Sequence, residues 1–147
     1  MSISLPPNEP PSDPFDLPSL SRSEQAALAA RLLPPAVADE TTVAALLDRY
    51  AYWDDAAFDE PIAKAAQRDQ ESPVFRMIAD RKGAVIDRLV ATPAVSVDEL
   101  AEKLIHAIDL LGGEWVDQRD FRLIESAARD AARLREEERR QPSAALT

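Results

Sequence analysis

The sequence has no cysteine, three glycines and one histidine, and each shortage excludes a kind of chemistry. Without cysteine there are no disulfides, thiolate metal sites or cysteine nucleophiles. The glycines stand only at 83, 112 and 113, so a phosphate-cradling loop is missing, as are the G-x-S-x-G and H-E-x-x-H motifs of hydrolases and zinc enzymes. We therefore expect a protein that is not an enzyme, with no catalytic, metal or cofactor-binding residues.

Long apolar runs are also missing, and one sign of charge dominates. No segment approaches the ~20 apolar residues that span a bilayer. Residues 1–20 carry neither Lys nor Arg, which predicts no signal peptide. The net charge is −10, and an acidic field repels phosphate backbones. We expect a soluble, cytoplasmic protein without a membrane or small-molecule ligand, and nucleic acid is a poor partner for it.

A chain of 147 residues favours a single folded domain, flanked here by two segments of different character. Residues 5–18 contain six of the twelve prolines, so residues 1–20 are predicted to form an extended or disordered arm. An alternative is a docking peptide in which Phe15, Leu17 and Leu20 enter a groove on this or another protein. Residues 21–140 are predicted to form a helical bundle, and residues 141–147 a flexible tail.

The segment 21–140 has abundant alanine and the capping residues that start helices. Ser21 and Ser96 each precede a glutamate with capping-box spacing, and Ser72 precedes a proline. We expect helices at about 22–33, 42–58, 72–91, 96–111 and 117–139, with a possible continuation at 62–70. Short turns join the later helices and favour antiparallel neighbours. The predicted fold is all-α, an antiparallel bundle of four to five helices.

Apolar residues recur on one flank of each helix, and we expect these flanks to face the core. On helix 42–58 they are Val43, Leu46, Leu47, Tyr50, Trp53, Ala57 and Phe58, and on helix 72–91 they are Val74, Ile78, Val85 and Leu89. On helix 96–111 they are Val97, Leu100, Ala101, Leu104, Ile108 and Leu111, and on helix 117–139 they are Phe121, Ile124, Ala127, Ala128, Ala131 and Leu134. Gly83 falls on the outer side of its helix.

The residues we expect to contact a partner protein lie outside these flanks. An arginine stripe on helix 117–139 comprises Arg119, Arg122, Arg129, Arg133 and Arg140. An acidic face around Tyr52 comprises Asp48, Asp55 and Asp59. This face on one copy of the chain is complementary in charge to the arginine stripe on a second copy, and the two could meet in a homodimer. Leu110 points off the apolar flank and is either a contact or covered by another helix. The alternative for the arginines is a solvated surface with a Glu125–Arg129 pair.

Two further features are open to a functional interpretation. His106, near Glu99, Glu102 and Asp109, is expected to be a surface residue rather than a catalytic one. Asp54, Asp55, Asp59 and Glu60 are expected to be an acidic helix end rather than a metal site. The alternative function is a transcriptional or phage-type regulator that touches DNA through helix 117–139, but the seven arginines between residues 117 and 140 are balanced by seven acids.

The stretch ATPAVSVDELAEKL at 91–104 resembles small helical proteins of alphaproteobacteria that have no assigned activity. They share an A-T-P-A turn, a capping Ser or Thr and an L-A-x-K helix, and the similar layout extends over about 41–135. The resemblance implies a helical bundle in a bacterial, cytoplasmic setting and brings no catalytic or binding residue. Together these features predict a non-enzymatic protein that acts through protein–protein contact, as a homodimer or a small adaptor.

Overall fold

A computed structural model describes residues 15–113 and 116–141, and within them the chain is all-α, as predicted. Most of the predicted arm (1–14) and tail (142–147) lies outside the described residues. The helices are α1 (Arg22–Leu32), α2 (Val43–Asp54), α3 (Pro61–Ala65), α4 (Pro73–Ala91), α5 (Val97–Leu111) and α6 (Gln118–Arg140). Two short 3-10 turns, Leu17–Ser19 and Ala56–Asp59, complete the described elements.

Side chains at the predicted caps start these helices. Ser21 and Glu24 form a full capping box on α1, and Ser72 caps α4 with Pro73 at its first position. Ser96 accepts a hydrogen bond from the Glu99 amide at the start of α5. Each cap satisfies an amide that would otherwise lack a partner, which fixes where the helix begins.

The predicted helix 42–58 is wrong at its C-terminal end. α2 stops at Asp54, and a 3-10 turn follows because the Tyr52 hydroxyl donates to Glu60 at 2.6 Å and Pro61 cannot continue the helix. Asp54, the last residue of α2, is exposed and pairs with Lys82 at 2.8 Å. Phe58 is exposed as a result.

α4 lies at the centre of the bundle and packs on α1, α2 and α6. The predicted seam of α4 is confirmed, since all four of its residues are buried. From α2, Trp53 is fully buried and its indole donates to the Ala36 carbonyl at 3.0 Å. Residues 15–20, the described part of the predicted arm, pack on the protein instead of extending from it. Leu17 is buried, and Phe15 and Leu20 pack on this core.

Candidate functional site

A fully buried lysine holds α5 and α6 in a hairpin. Lys103 Nζ donates to the Thr92 carbonyl at 2.9 Å, to Ser126 Oγ at 2.8 Å and to Asp130 Oδ2 at 2.7 Å. The three ammonium hydrogens therefore each have an acceptor, which compensates the loss of water around the charge.

The same polar cluster clamps the turn between α4 and α5 onto α6. Asp130 accepts a hydrogen bond from the Ala94 amide at 3.1 Å, and Ser126 donates to the Val90 carbonyl at 2.7 Å. Arg133 donates to the Ala94 carbonyl and lies 3.4 Å from Asp130. Neither Lys103 nor Ser126 nor Asp130 was predicted to matter. The signal in the sequence is the i,i+4 spacing of Ser126 and Asp130 next to Leu123 and Ala127.

Because Lys103 points inward, α5 turns its predicted core flank outward. Lys103 and Ala107 are the buried residues of α5. Val97 is 73% exposed, Ile108 62% and Ile105 59%. Ala101 is exposed too, whereas Leu100, Leu104 and Leu111 are half-buried. The prediction that this flank packs inside the molecule is therefore wrong for Val97, Ala101 and Ile108.

α6, like α5, turns much of its predicted inner flank toward the outside. Its buried residues are Asp120, Leu123, Ser126, Ala127 and Asp130. Of the predicted inner flank only Ala127 is buried, Ile124 and Leu134 are half-buried, and Phe121, Ala128 and Ala131 are exposed. Phe121 exposes 56% of its surface. The polar cluster occupies the interior that the apolar flank was expected to fill.

The two outward flanks adjoin, since α5 packs more extensively on α6 than on any other helix. Each residue of a helix is rotated by 100° from the one before it, which places the apolar residues around the axis. On α5 they lie beside the contact with α6, between that contact and the side of α5 that faces away from α6. On α6 they lie in the same way beside the contact with α5. We call this surface the hairpin face. It comprises Val97, Ala101, Leu104, Ile105, Ile108 and Leu111 of α5 and Phe121, Ile124, Ala128 and Ala131 of α6.

Charges of opposite sign border the hairpin face on its two sides. Along the far side of α5 run Asp98, Glu102 and Asp109, which we call the acidic edge. Along the far side of α6 run the exposed Arg122 and Arg129, which we call the arginine edge. Neither arginine has an ion pair within the described residues, so the Glu125–Arg129 pair of the alternative interpretation is not formed.

His106 is half-buried against α2, and the expectation of a surface histidine is wrong. Its ring meets that of Tyr50 edge-on with centroids 4.3 Å apart, and Nε2 is buried without a hydrogen-bond partner. Burial lowers the pKa of His106, against the attraction of Asp109, Asp54 and Asp120, while Lys82 adds to the lowering. Burial also raises the pKa of Tyr50. An imidazole without a polar partner favours its neutral form here.

Tyr52 and Leu110 are less available for contact than expected. The Tyr52 ring lies beside Trp53 and under Arg49, and burial with the hydrogen bond to Glu60 raises its pKa to about 12. Leu110 is half-buried and packs on the core, which corresponds to the alternative in which it is covered. Asp55 and Asp59 are exposed, as expected.

The arginine stripe is divided between internal and free residues. Arg119 Nε lies 3.0 Å from Asp87, and Arg133 pairs with Asp130 and Glu137. Arg140 pairs with Glu136 on its own helix. Only Arg122 and Arg129 of the predicted stripe are left for an outside partner, and they are the residues that border the hairpin face.

Other features of the described residues add no competing site. A shallow depression of about 270 Å³ is lined by Thr41, Arg88, Ala91, Thr92 and Pro93. Over residues 15–113 and 116–141, no three acidic or histidine side chains converge as a metal ion requires. No helix in the described part of the chain combines the length and apolarity needed to cross a membrane.

The chain matches no protein-family model, no curated protein and no solved structure.

Proposed function

We propose that this protein is non-enzymatic and acts through protein–protein contact, with the hairpin face as its contact surface. The observation that carries the proposal is the exposure of Val97, Ile105, Ile108 and Phe121 on two adjoining helices. The largest contiguous apolar patch on a soluble protein is often a functional surface, and such a patch typically covers about 300–600 Å². The two helices together are about 20 Å wide and α5 is about 22 Å long, so the hairpin face covers about 450 Å².

The state of the ionisable groups also supports a contact function over catalysis. Lys103 is paired with Asp130 in the interior and Lys82 with Asp54 at the surface, so both of these lysines have carboxylate partners within the chain. The depression near Thr92 lacks a carboxylate or imidazole in its lining. A general acid or base needs to reach a bound substrate, and these groups are committed to the protein itself.

The alternative, contact with DNA through α6, has weaker support. Two of the arginines on this helix, Arg119 and Arg133, pair with acids of this chain. Phosphate binding depends on free positive charge. A DNA-shift assay across salt concentrations, with Arg122→Ala/Arg129→Ala as the comparison, tests this alternative.

Site-specific photo-crosslinking in the native cells tests the contact surface. The full chain carries a photoreactive amino acid either in place of Ile105, on the hairpin face, or in place of Ala51, an exposed position on α2. We expect a discrete protein adduct from position 105 and none from position 51. Equal adducts at both positions, or none at 105, would contradict the proposal.

A further inference from the structure

The hairpin face is electrically asymmetric, which restricts what covers it. The charged side chains on the surface of α5 are all acidic, since its one lysine, Lys103, is fully buried. The arginine edge of α6 holds two free guanidinium groups, with Glu125 on the same side. A partner that covers the whole face must therefore bring positive charge to one side and negative charge to the other.

A second copy of this chain meets that requirement in one orientation. If the two-fold axis runs parallel to the helices, α5 of one copy lies on α6 of the other, and each acidic edge meets an arginine edge. If the axis runs across the helices, α5 meets α5 and acid faces acid. Like charges placed opposite each other disfavour the second arrangement.

Resting on the proposed function, we infer that the occupant of the hairpin face is a second copy, arranged as an antiparallel four-helix bundle with α5 on the partner's α6. Bundles of this kind bury apolar flanks of facing helices. The exposed Ala101, Ala128 and Ala131 permit the close approach of the partner's helices.

The heights of the charged residues along the hairpin agree with this arrangement. Lys103 bonds both Ser126 and Asp130, so position 103 is level with about position 128. In an antiparallel pair, Glu102 is then level with Arg129, and Asp109 with Arg122. A two-fold axis parallel to the helices preserves these heights, so Glu102 faces the partner's Arg129 and Asp109 faces the partner's Arg122.

The contact area is sufficient for a dimer. With both charged edges the covered region is about 30 Å by 22 Å, roughly 700 Å² for each copy. Standard stable interfaces bury about 800 Å² on each side. The area of an interface with a second copy is therefore at the lower end of the standard size class, and we expect the dimer to dissociate on dilution.

Charge reversal with sedimentation equilibrium tests the arrangement. We expect wild type to dimerise, and Arg122→Glu/Arg129→Glu to weaken dimerisation at least about tenfold, because acids then face acids. Glu102→Arg/Asp109→Arg weakens it similarly, and the chain with all four changes recovers. Asp48→Arg/Asp55→Arg changes the acidic face around Tyr52, which the sequence predicts to meet the arginines, and leaves dimerisation unchanged. These are all exposed positions, and circular dichroism verifies that each variant folds.

Failure of this inference is distinct from failure of the proposed function. A wild-type protein that stays monomeric at every concentration contradicts the inference that a second copy covers the hairpin face. A dimer that the arginine reversals leave intact, or that the fourfold variant fails to recover, overturns the arrangement of α5 on α6. A crosslink from position 105 to a different protein likewise overturns the second copy but supports the contact function.

Discussion

At the scale of single residues, Lys103 determines which flank of α5 faces solvent. An apolar residue in its place would leave the helix free to bury its continuous apolar flank. The ammonium group instead points into the fold, toward Asp130, Ser126 and the Thr92 carbonyl. Burying a charge is costly without these partners, and the bonded geometry is available in one rotation of the helix.

Replacing Lys103 by Met should therefore destabilise the fold strongly. The change removes the buried cation from Asp130 and leaves it only the more exposed Arg133, 3.4 Å away, among the described residues, which costs about 3–5 kcal/mol in the free energy of unfolding. The matched control is Lys82→Met, which breaks the more exposed Lys82–Asp54 pair and should cost less than about 1 kcal/mol. Urea unfolding at one protein concentration measures both, and equal losses would contradict the role given to Lys103.

His106 should make stability depend on pH. Its pKa in the folded chain is lower than the ordinary value of 6.5, so the unfolded chain binds the proton more readily. The stability from neutral His106 is complete above that value and is lost as pH falls toward the folded pKa. Facing it are Asp109, Asp54 of α2, Asp120 of α6 and Lys82 of α4.

We expect wild type to lose stability relative to His106→Phe as the pH falls from about 7.5 to 5.5. The phenyl ring retains the edge contact with Tyr50 but has no proton to bind. Urea unfolding of both proteins at each pH measures the difference. The same pH dependence in both proteins would rule out His106 as its source.

At the scale of helices, Gly83 shows how α4 accommodates α6. It is buried, not on the outer side as expected, because the Arg119 guanidinium lies over it while pairing with Asp87. A Cβ at position 83 would lie 2.5 Å from Arg119 Nη1 and 3.1 Å from its Cζ. Glycine in mid-helix thus makes room for an ion pair between the two helices.

Gly83→Ala should be nearly neutral in wild type and stabilising in an Arg119→Ala background. Alanine gains about 1 kcal/mol of helix propensity. In wild type that gain is offset by displacing Arg119 from an exposed pair worth less than about 1 kcal/mol. Thermal unfolding of the four proteins gives the coupling energy. A similar gain in both backgrounds would mean that Arg119 does not restrict this position.

The sequence predicts where the helices start better than how they are rotated. The caps at Ser21, Ser72 and Ser96 are local, so spacing alone identifies them. The rotation of α5 depends on the partners of Lys103, which lie on α6 and in the preceding turn. Apolar periodicity is the same whether a flank meets its own core or another chain. A usable signal was the amount of apolar surface, since α5 carries more large apolar residues than one inward flank holds.

At the scale of the whole molecule, the core and the hairpin face have different roles. α1, α2 and α4 bury their apolar residues conventionally. The α5–α6 hairpin attaches to them through an interior that is partly polar and presents apolar residues outward. The proposed contact surface could be predicted only in part, because Arg122 and Arg129 were expected at a contact but Ile105 and Phe121 were not.

Dimerisation through the hairpin face should make thermal stability depend on protein concentration. Association stabilises the folded chain by mass action, so Tm rises with concentration. Ile108→Glu places a charge in the centre of the face and should abolish that rise. Ala51→Glu on α2 should leave it unchanged. Scanning calorimetry over a hundredfold range of concentration makes the comparison, and a rise that persists in Ile108→Glu would place the interface elsewhere.

The most direct test of an outward apolar face covered by a second copy is the reactivity of a single thiol. The chain has no cysteine, so Ile105→Cys and Ala51→Cys each carry one thiol. We expect both to react rapidly with a thiol reagent in dilute protein, and only position 105 to become protected as concentration rises. A thiol at 105 that is unreactive even in dilute protein, or equally reactive at all concentrations, would contradict the account.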